Sequence, residues 1–166
     1  SPAALYVPSR TYAVGTLDGY SVTTSYGAGA QAYTRQTPLF IRYPLATRGP
    51  LPLVLWSHGG ALQEGGKYHN EEWGNALAGA GYIVVHMSHM PVGWLERFRL
   101  AAEFGIEASA MDVELAANLV RPRDAIATLN QGALATVRSF GSLGGERVGQ
   151  AFGGRSLTAP RSSPTR

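Results

Sequence analysis

The sequence predicts an α/β fold with a mostly parallel sheet flanked by helices, and three observations carry that prediction. PLVLWS and YIVVHM are continuously apolar through their centres rather than alternating, the pattern of strands covered on both faces. The segment between them, HNEEWGNALAGAG, opens with acids and closes at Gly81, as a helix does. Strand, loop, helix and strand thus follow one another in the βαβ order.

The remaining elements are read along the chain. Residues 1–37 mix Tyr, Thr and Gly, as in TYAVGTLDGYSVTTSYG, and are expected to form short edge strands interrupted by turns. LFIRYP, Leu39 to Pro44, is a stronger strand, and ATRGPLP then turns into LVLWSH. Together they predict a hairpin leading to an inner strand. After Met90, PVGWLERFRLAAEFGIEASAMDVELAANLV repeats apolar residues near helical spacing. RPRDAIATLNQGAL follows, with Pro122 suited to a first helical turn. Residues 139–166 are dominated by Gly, Ser, Arg, Thr and Pro and are read as a flexible tail to a domain spanning residues 1–138.

Composition narrows the function classes. A chain of 166 residues, 45% hydrophobic and 15% charged, fits one globular domain. No apolar run approaches the ~20 residues of a membrane span. The net charge of +3 comes from scattered arginines that form no stripe, so nucleic acid is not expected as a partner. With no cysteine there is neither a disulfide framework nor thiolate chemistry, and the compartment stays open between cytoplasm and exterior. The glycine-rich nucleotide motifs are absent, and no cofactor is expected.

The change from apolar strand to Ser-His-Gly-Gly, Ser57 to Gly60, is the chief candidate site. Ligands bind beyond the carboxyl ends of parallel strands, and glycines there let backbone N–H groups face a cleft with no side chain in the way. Such donors can form an oxyanion hole. The alternative is that Gly59 and Gly60 only permit a sharp exit from the strand, with His58 packed beneath. His58, His69, His86 and His89 invite a metal reading, but His86 and His89 are three apart on a strand and so face opposite sides; no metal is expected, and both are placed near the strand's carboxyl end. Glu71 and Glu72 suit a helix amino terminus rather than an acid pair. Trp94, Phe98 and Phe104 are read as core-facing positions of an amphipathic helix, with an apolar lid over a substrate as the alternative.

The pieces PLFIRYP, GPLPLVLWSHGG, LAGAGYIVVHMSHM and LVRPRDAIATLNQ, in that order over residues 38–131, resemble the α/β-hydrolase superfamily, particularly its dienelactone-hydrolase-like and platelet-activating-factor-acetylhydrolase-like esterases. The resemblance implies carboxylic-ester hydrolysis of a small-molecule substrate, with a backbone N–H of Gly60, or secondarily Ala61, as oxyanion donor, and His58 and His89 lining the active cleft. It also implies a Gly-x-Ser-x-Gly nucleophile elbow followed by Asp and His. That elbow is missing. GRSLT, Gly154 to Thr158, lacks the second glycine, so Ser156 is not taken as nucleophile; Ser142 to Gly145 lacks the preceding one. The Arg-Pro-x-Asp segment ending at Asp124 is assigned structural support and no catalysis. The reading is therefore an α/β-hydrolase-like fold truncated or frame-shifted at or before its elbow, with weak or no activity and an exposed sheet edge prone to self-association. The competing reading is a non-catalytic binding or interaction protein on the same scaffold.

Overall fold

The computed structural model describes residues 10–47, 51–60, 65–90, 92–137 and 157–158. Two long strands, β1 (Val14–Tyr26) and β2 (Tyr33–Pro44), are followed by β3 (Leu53–Ser57), α1 (Glu71–Gly79), β4 (Ile83–Met87), α2 (Trp94–Phe104), α3 (Val113–Val137) and the two-residue β5 (Leu157–Thr158). The sheet order is β3-β4-β2-β1-β5.

The fold is α/β, but the sheet is mixed rather than mostly parallel. Among the described residues only β3 and β4 run parallel, whereas β4 with β2, β2 with β1 and β1 with β5 are antiparallel. The expected β2–β3 hairpin is replaced by a β1–β2 hairpin, and the Pro/Gly stretch after Pro44 carries the chain past the slot that β4 fills. That slot goes to β4 because all five of its residues are buried, while Leu53 to Trp56 of β3 are half-buried and Ser57 is exposed. β3 is thus an edge strand among the described residues, not an inner one. Residues 14–26 form one strand thirteen residues long rather than several short ones, with a register shift between Leu17 and Tyr20. Gly19, at φ 80, lies within that shift, and its N–H donates to Asp18 Oδ1.

Side-chain alternation divides the sheet into two faces. Because Leu53 pairs with Ile83 and Leu39 with Met87, the odd-numbered residues of β2, β3 and β4 share one face. Leu39, Ile41, Tyr43, Ile83, Val85 and Met87 bury there, with Leu53 and Leu55 alongside and Ala125 and Ala127 of α3 against them. On the even face, α1 approaches so closely that a methyl group at Gly74 would overlap the His86 ring. His86 and His89 do point to opposite faces, as their spacing requires.

The helix boundaries follow local chemistry. α1 begins with Glu71 and Glu72 and ends before Gly81, whose φ of 107 suits glycine. α3 begins at Val113, where the Asp112 carboxylate accepts from the Leu115 N–H at 2.7 Å and caps the first turn. Pro122 therefore lies inside a continuous helix instead of opening one. α2 corrects another expectation: Trp94 and Phe98 are 74% and 55% exposed and Phe104 is also exposed, while Leu100 and Ala101 are buried. Glu96 turns inward to pair with Arg35, which sets the inner stripe at Glu96 and Leu100 and leaves the aromatics outside. Among the described residues no helix is long and apolar enough to cross a membrane. Of the segment 139–166, only Leu157 and Thr158 are described, as the strand pairing with β1, and the flexible-tail reading otherwise lies outside the described residues, as does Ser156.

Candidate functional site

The site forms where β3 and β4 end together. Their parallel register sets Ser57 beside Met87, so Ser57 and His89, two residues past Met87, emerge on the α3 face. Ser57 Oγ lies 2.6 Å from His89 Nε2, and His89 Nδ1 lies 2.8 Å from Asp124 Oδ2 on α3. His89 and Asp124 are buried; Ser57 is exposed.

Protonation states follow from the partners. Burial pushes the Asp124 carboxyl up, but hydrogen bonds from Arg35 and His89, the Arg35 charge and a hydrogen bond from Thr37 outweigh it and hold the group below the ordinary carboxylate range. Arg35 donates from Nε to Oδ1 at 2.6 Å and from Nη2 to Oδ2 at 2.8 Å, and Thr37 donates to Oδ1 at 2.8 Å. An ionised carboxylate only accepts, so His89 Nδ1 carries a proton and donates it. In the neutral imidazole, Nε2 is then the acceptor facing the Ser57 hydroxyl.

Arg35 is itself surrounded. Its Nη1 reaches Glu96 at 3.1 Å and its Nη2 reaches the His89 carbonyl at 2.8 Å. Burial disfavours the Arg35 charge, yet Asp124 and Glu96 more than offset this and raise its pKa. Burial conversely raises the Glu96 carboxyl, with Arg35 opposing. One charged cluster from β2, α2 and α3 therefore fixes the His89 ring from behind.

The Ser57–Gly60 loop is held from two elements, by Arg121 and by the His89 backbone. Arg121 Nη1 donates to Ser57 Oγ at 3.1 Å and to the His58 carbonyl. The His89 N–H donates to His58 Nε2 at 3.1 Å, so His58 holds its proton on Nδ1, which faces the Gly59 carbonyl at 3.2 Å. Burial lowers the His58 pKa, the Gly59 and Gly60 backbones oppose this, and the nearby Arg121 charge adds to it. His58 is accordingly neutral at pH 7. Beyond it Gly59 and Gly60 are exposed; a methyl at Gly59 would meet nothing within 4 Å, and Gly60 has the left-handed φ of 74 that favours glycine.

The four predicted site residues fare differently. His58 and His89 come together, with ring centroids 5.1 Å apart, and both lie buried beneath the loop. Gly60 sits three residues past the last ladder pair, Ser57 with Met87, and Ala61 lies outside the described residues. The His69 ring lies 6.4 Å from the His58 ring, centroid to centroid, and His86 lies on the opposite face. Among the described residues no group of three His, Asp or Glu side chains is arranged to hold a metal ion.

Sequence reasoning did not anticipate that Ser57, His89 and Asp124 meet. The signal was available in the alignment of LVLWS with IVVHM, because equal apolar runs in parallel register bring Ser57 and His89 to one face.

The loop's rigidity has a testable dependence on Gly66. It is buried, and a methyl there would overlap the His58 ring, which its hydrogen bonds to His89 and Gly59 hold in place. Gly66→Ala is expected to cost about 1–3 kcal/mol by overpacking, read as a lower urea midpoint with unchanged slope. A midpoint equal to that of the parent would show that His58 is free to move.

Comparison with protein-family models, with curated proteins and with solved structures gives no match to this chain.

Proposed function

We propose that the chain carries an acyl-ester site of the serine-hydrolase kind, in which the exposed glycine amides after β3, that of Gly60 foremost, receive the negative oxygen that forms when an ester carbonyl is attacked. The observation that carries this reading is the pinned Ser57–Gly60 loop. Its two ends of support, Arg121 on the His58 carbonyl and His89 on the His58 ring, come from different elements, while Gly59 and Gly60 are exposed and a methyl at Gly59 would meet nothing among the described residues within 4 Å. Preorganised donors stabilise developing charge because they need not reorient as the reaction proceeds. One such donor contributes roughly 3 kcal/mol to transition-state stability.

Further support comes from the resemblance of residues 38–131 to the α/β-hydrolase superfamily and from the parallel β3–β4 pair with α1 between its strands. The unpaired side of β3 among the described residues is where a following strand would add. The substrate class is a small carboxylic ester. The non-catalytic binding protein has no observation of its own in its favour.

The test uses ethyl methylphosphonate, a stable anion with the tetrahedral shape and charge of the intermediate. Titrated into 15N-labelled chain, it is expected to move the Gly60 amide proton downfield in a saturable way, with sodium chloride at equal ionic strength producing no such change. An unmoved Gly60 resonance would overturn the reading.

A further inference from the structure

We propose that Ser57 is a nucleophile, with His89 as its base and Asp124 as the group that orients the base, so that the described residues contain a complete Ser-His-Asp relay. This rests on the acyl-ester reading of the same loop and departs from the sequence expectation that no serine here is placed for attack. Ser57 Oγ to His89 Nε2 is 2.6 Å and His89 Nδ1 to Asp124 Oδ2 is 2.8 Å, both within the reach that such relays require. The ionised Asp124 fixes the tautomer with Nε2 free to take a proton. The serine is exposed at the end of an edge strand while the other two members are buried, so a substrate reaches only the nucleophile.

Arg121 adds to this. Its Nη1, 3.1 Å from Ser57 Oγ, places a positive charge where the alkoxide character develops. The hydroxyl gives its proton to His89 and accepts one hydrogen bond from Arg121, which leaves its second lone pair for attack.

In the first step Ser57 Oγ forms a bond to the ester carbonyl carbon as its proton passes to His89 Nε2, and the carbonyl electron pair moves onto oxygen beside the glycine amides. The pair then returns, the bond to the alcohol oxygen breaks, and His89 gives its proton to the departing alcohol. Water attacks the acyl-Ser57 ester while losing a proton to His89, and collapse of that second adduct returns the proton to Ser57 and releases the carboxylic acid.

The experiment treats the full chain with an ethyl alkylfluorophosphonate, which phosphonylates activated serines with loss of fluoride, and maps the adduct by peptide mass spectrometry. One adduct on Ser57 is expected, absent in Ser57→Ala. A second variant exploits the lack of any cysteine in the chain. Ser57→Cys introduces a single thiol, expected to react with iodoacetamide at least about ten-fold faster than glutathione at the same pH, because His89 draws its proton. Labelling elsewhere, equal labelling of Ser57→Ala, or a thiol in the Ser57→Cys variant no faster than glutathione would overturn the proposal. If ethyl methylphosphonate moves the Gly60 amide while Ser57 stays unlabelled, the acyl-ester reading stands and the nucleophile falls; if the amide also stays still, both fall.

Discussion

Replacing Arg35 with methionine is expected to lower stability by about 3–5 kcal/mol, the cost of leaving a buried charge without its partner. The side chain of Arg35 is 2% exposed and that of Asp124 1% exposed, and Arg35 supplies both ends of a fork to the carboxylate as well as a hydrogen bond to the His89 carbonyl. Methionine keeps the length of the stem and removes every donor. Asp124 is then left with Thr37 and His89, and Glu96 loses its cation. For a domain of this size the loss is expected to lower Tm by roughly 10 °C. Lys67→Met provides the contrast. It breaks the exposed pair with Asp18 and the ammonium contact over the Tyr68 ring, and is expected to cost less than about 1 kcal/mol. Adding Asp124→Leu to Arg35→Met is expected to recover part of the loss, since no unpaired carboxylate then remains at that position. Equal Tm values for Arg35→Met and Lys67→Met would show that the cluster does not hold the β2, α2 and α3 elements together.

The second large effect is on pH dependence. Burial between the sheet and α1 lowers the His86 pKa from 6.5 to about 4, the Arg42 charge adding and the His69 backbone opposing. Arg42 from β2, the Trp56 ring from β3 and Gly74 from α1 surround the imidazole, and Glu71 faces Arg42. The unfolded chain binds a proton here below 6.5 and the folded chain only below about 4, so between those values the unfolded state holds more protons. Stability therefore drops as pH falls across that window, by on the order of 3 kcal/mol from this group, and is independent of it at higher pH. His58, whose pKa is also lowered, acts in the same sense. Asp124 acts at lower pH: its carboxyl lies below the ordinary 3.8, so its contribution is present above that value and is lost below it. Urea titrations at pH 7, 6, 5 and 4.5 are expected to show a much shallower decline for His86→Leu than for the parent. Parallel declines would mean that His86 titrates normally in the fold.

Alternation and register account for what the sequence made legible. The apolar runs Leu53 to Trp56 and Ile83 to Val85 marked the parallel pair, and Glu71, Glu72 and Gly81 marked the helix between them, because each signal is local. The opposition of His86 and His89 followed from period-two geometry alone. Placing β4 between β2 and β3 did not, since a turn-rich stretch such as ATRGPLP is compatible with a hairpin and with a loop that passes over a neighbouring strand. The length of β1 was hidden by Gly19 and the polar residues of its outer face, where pairing with β2 decides the strand.

The site was half legible for a similar reason. Gly59 and Gly60 announced an unusual backbone, and the apolar strand before them gave their position. Asp124 lies 89 residues from Arg35 and 87 from Thr37 in sequence, and the three meet only through β2 alternation and the packing of α3. No local pattern predicts that meeting. The same cluster explains the inverted face of α2: an inward Glu96 satisfies Arg35, and Trp94 and Phe98 are left outside. A buried arginine on β2 was the missing premise in both cases.

The functional reading stands or falls on whether the amide of Gly60 faces the position of a developing oxyanion. A crystal structure of the chain grown with ethyl methylphosphonate decides it. The expected result is a phosphonyl oxygen within roughly 3 Å of the Gly60 nitrogen, with the phosphorus next to Ser57 Oγ. A phosphonate bound elsewhere, or a Gly60 N–H already donating to a backbone carbonyl of the protein, would contradict it.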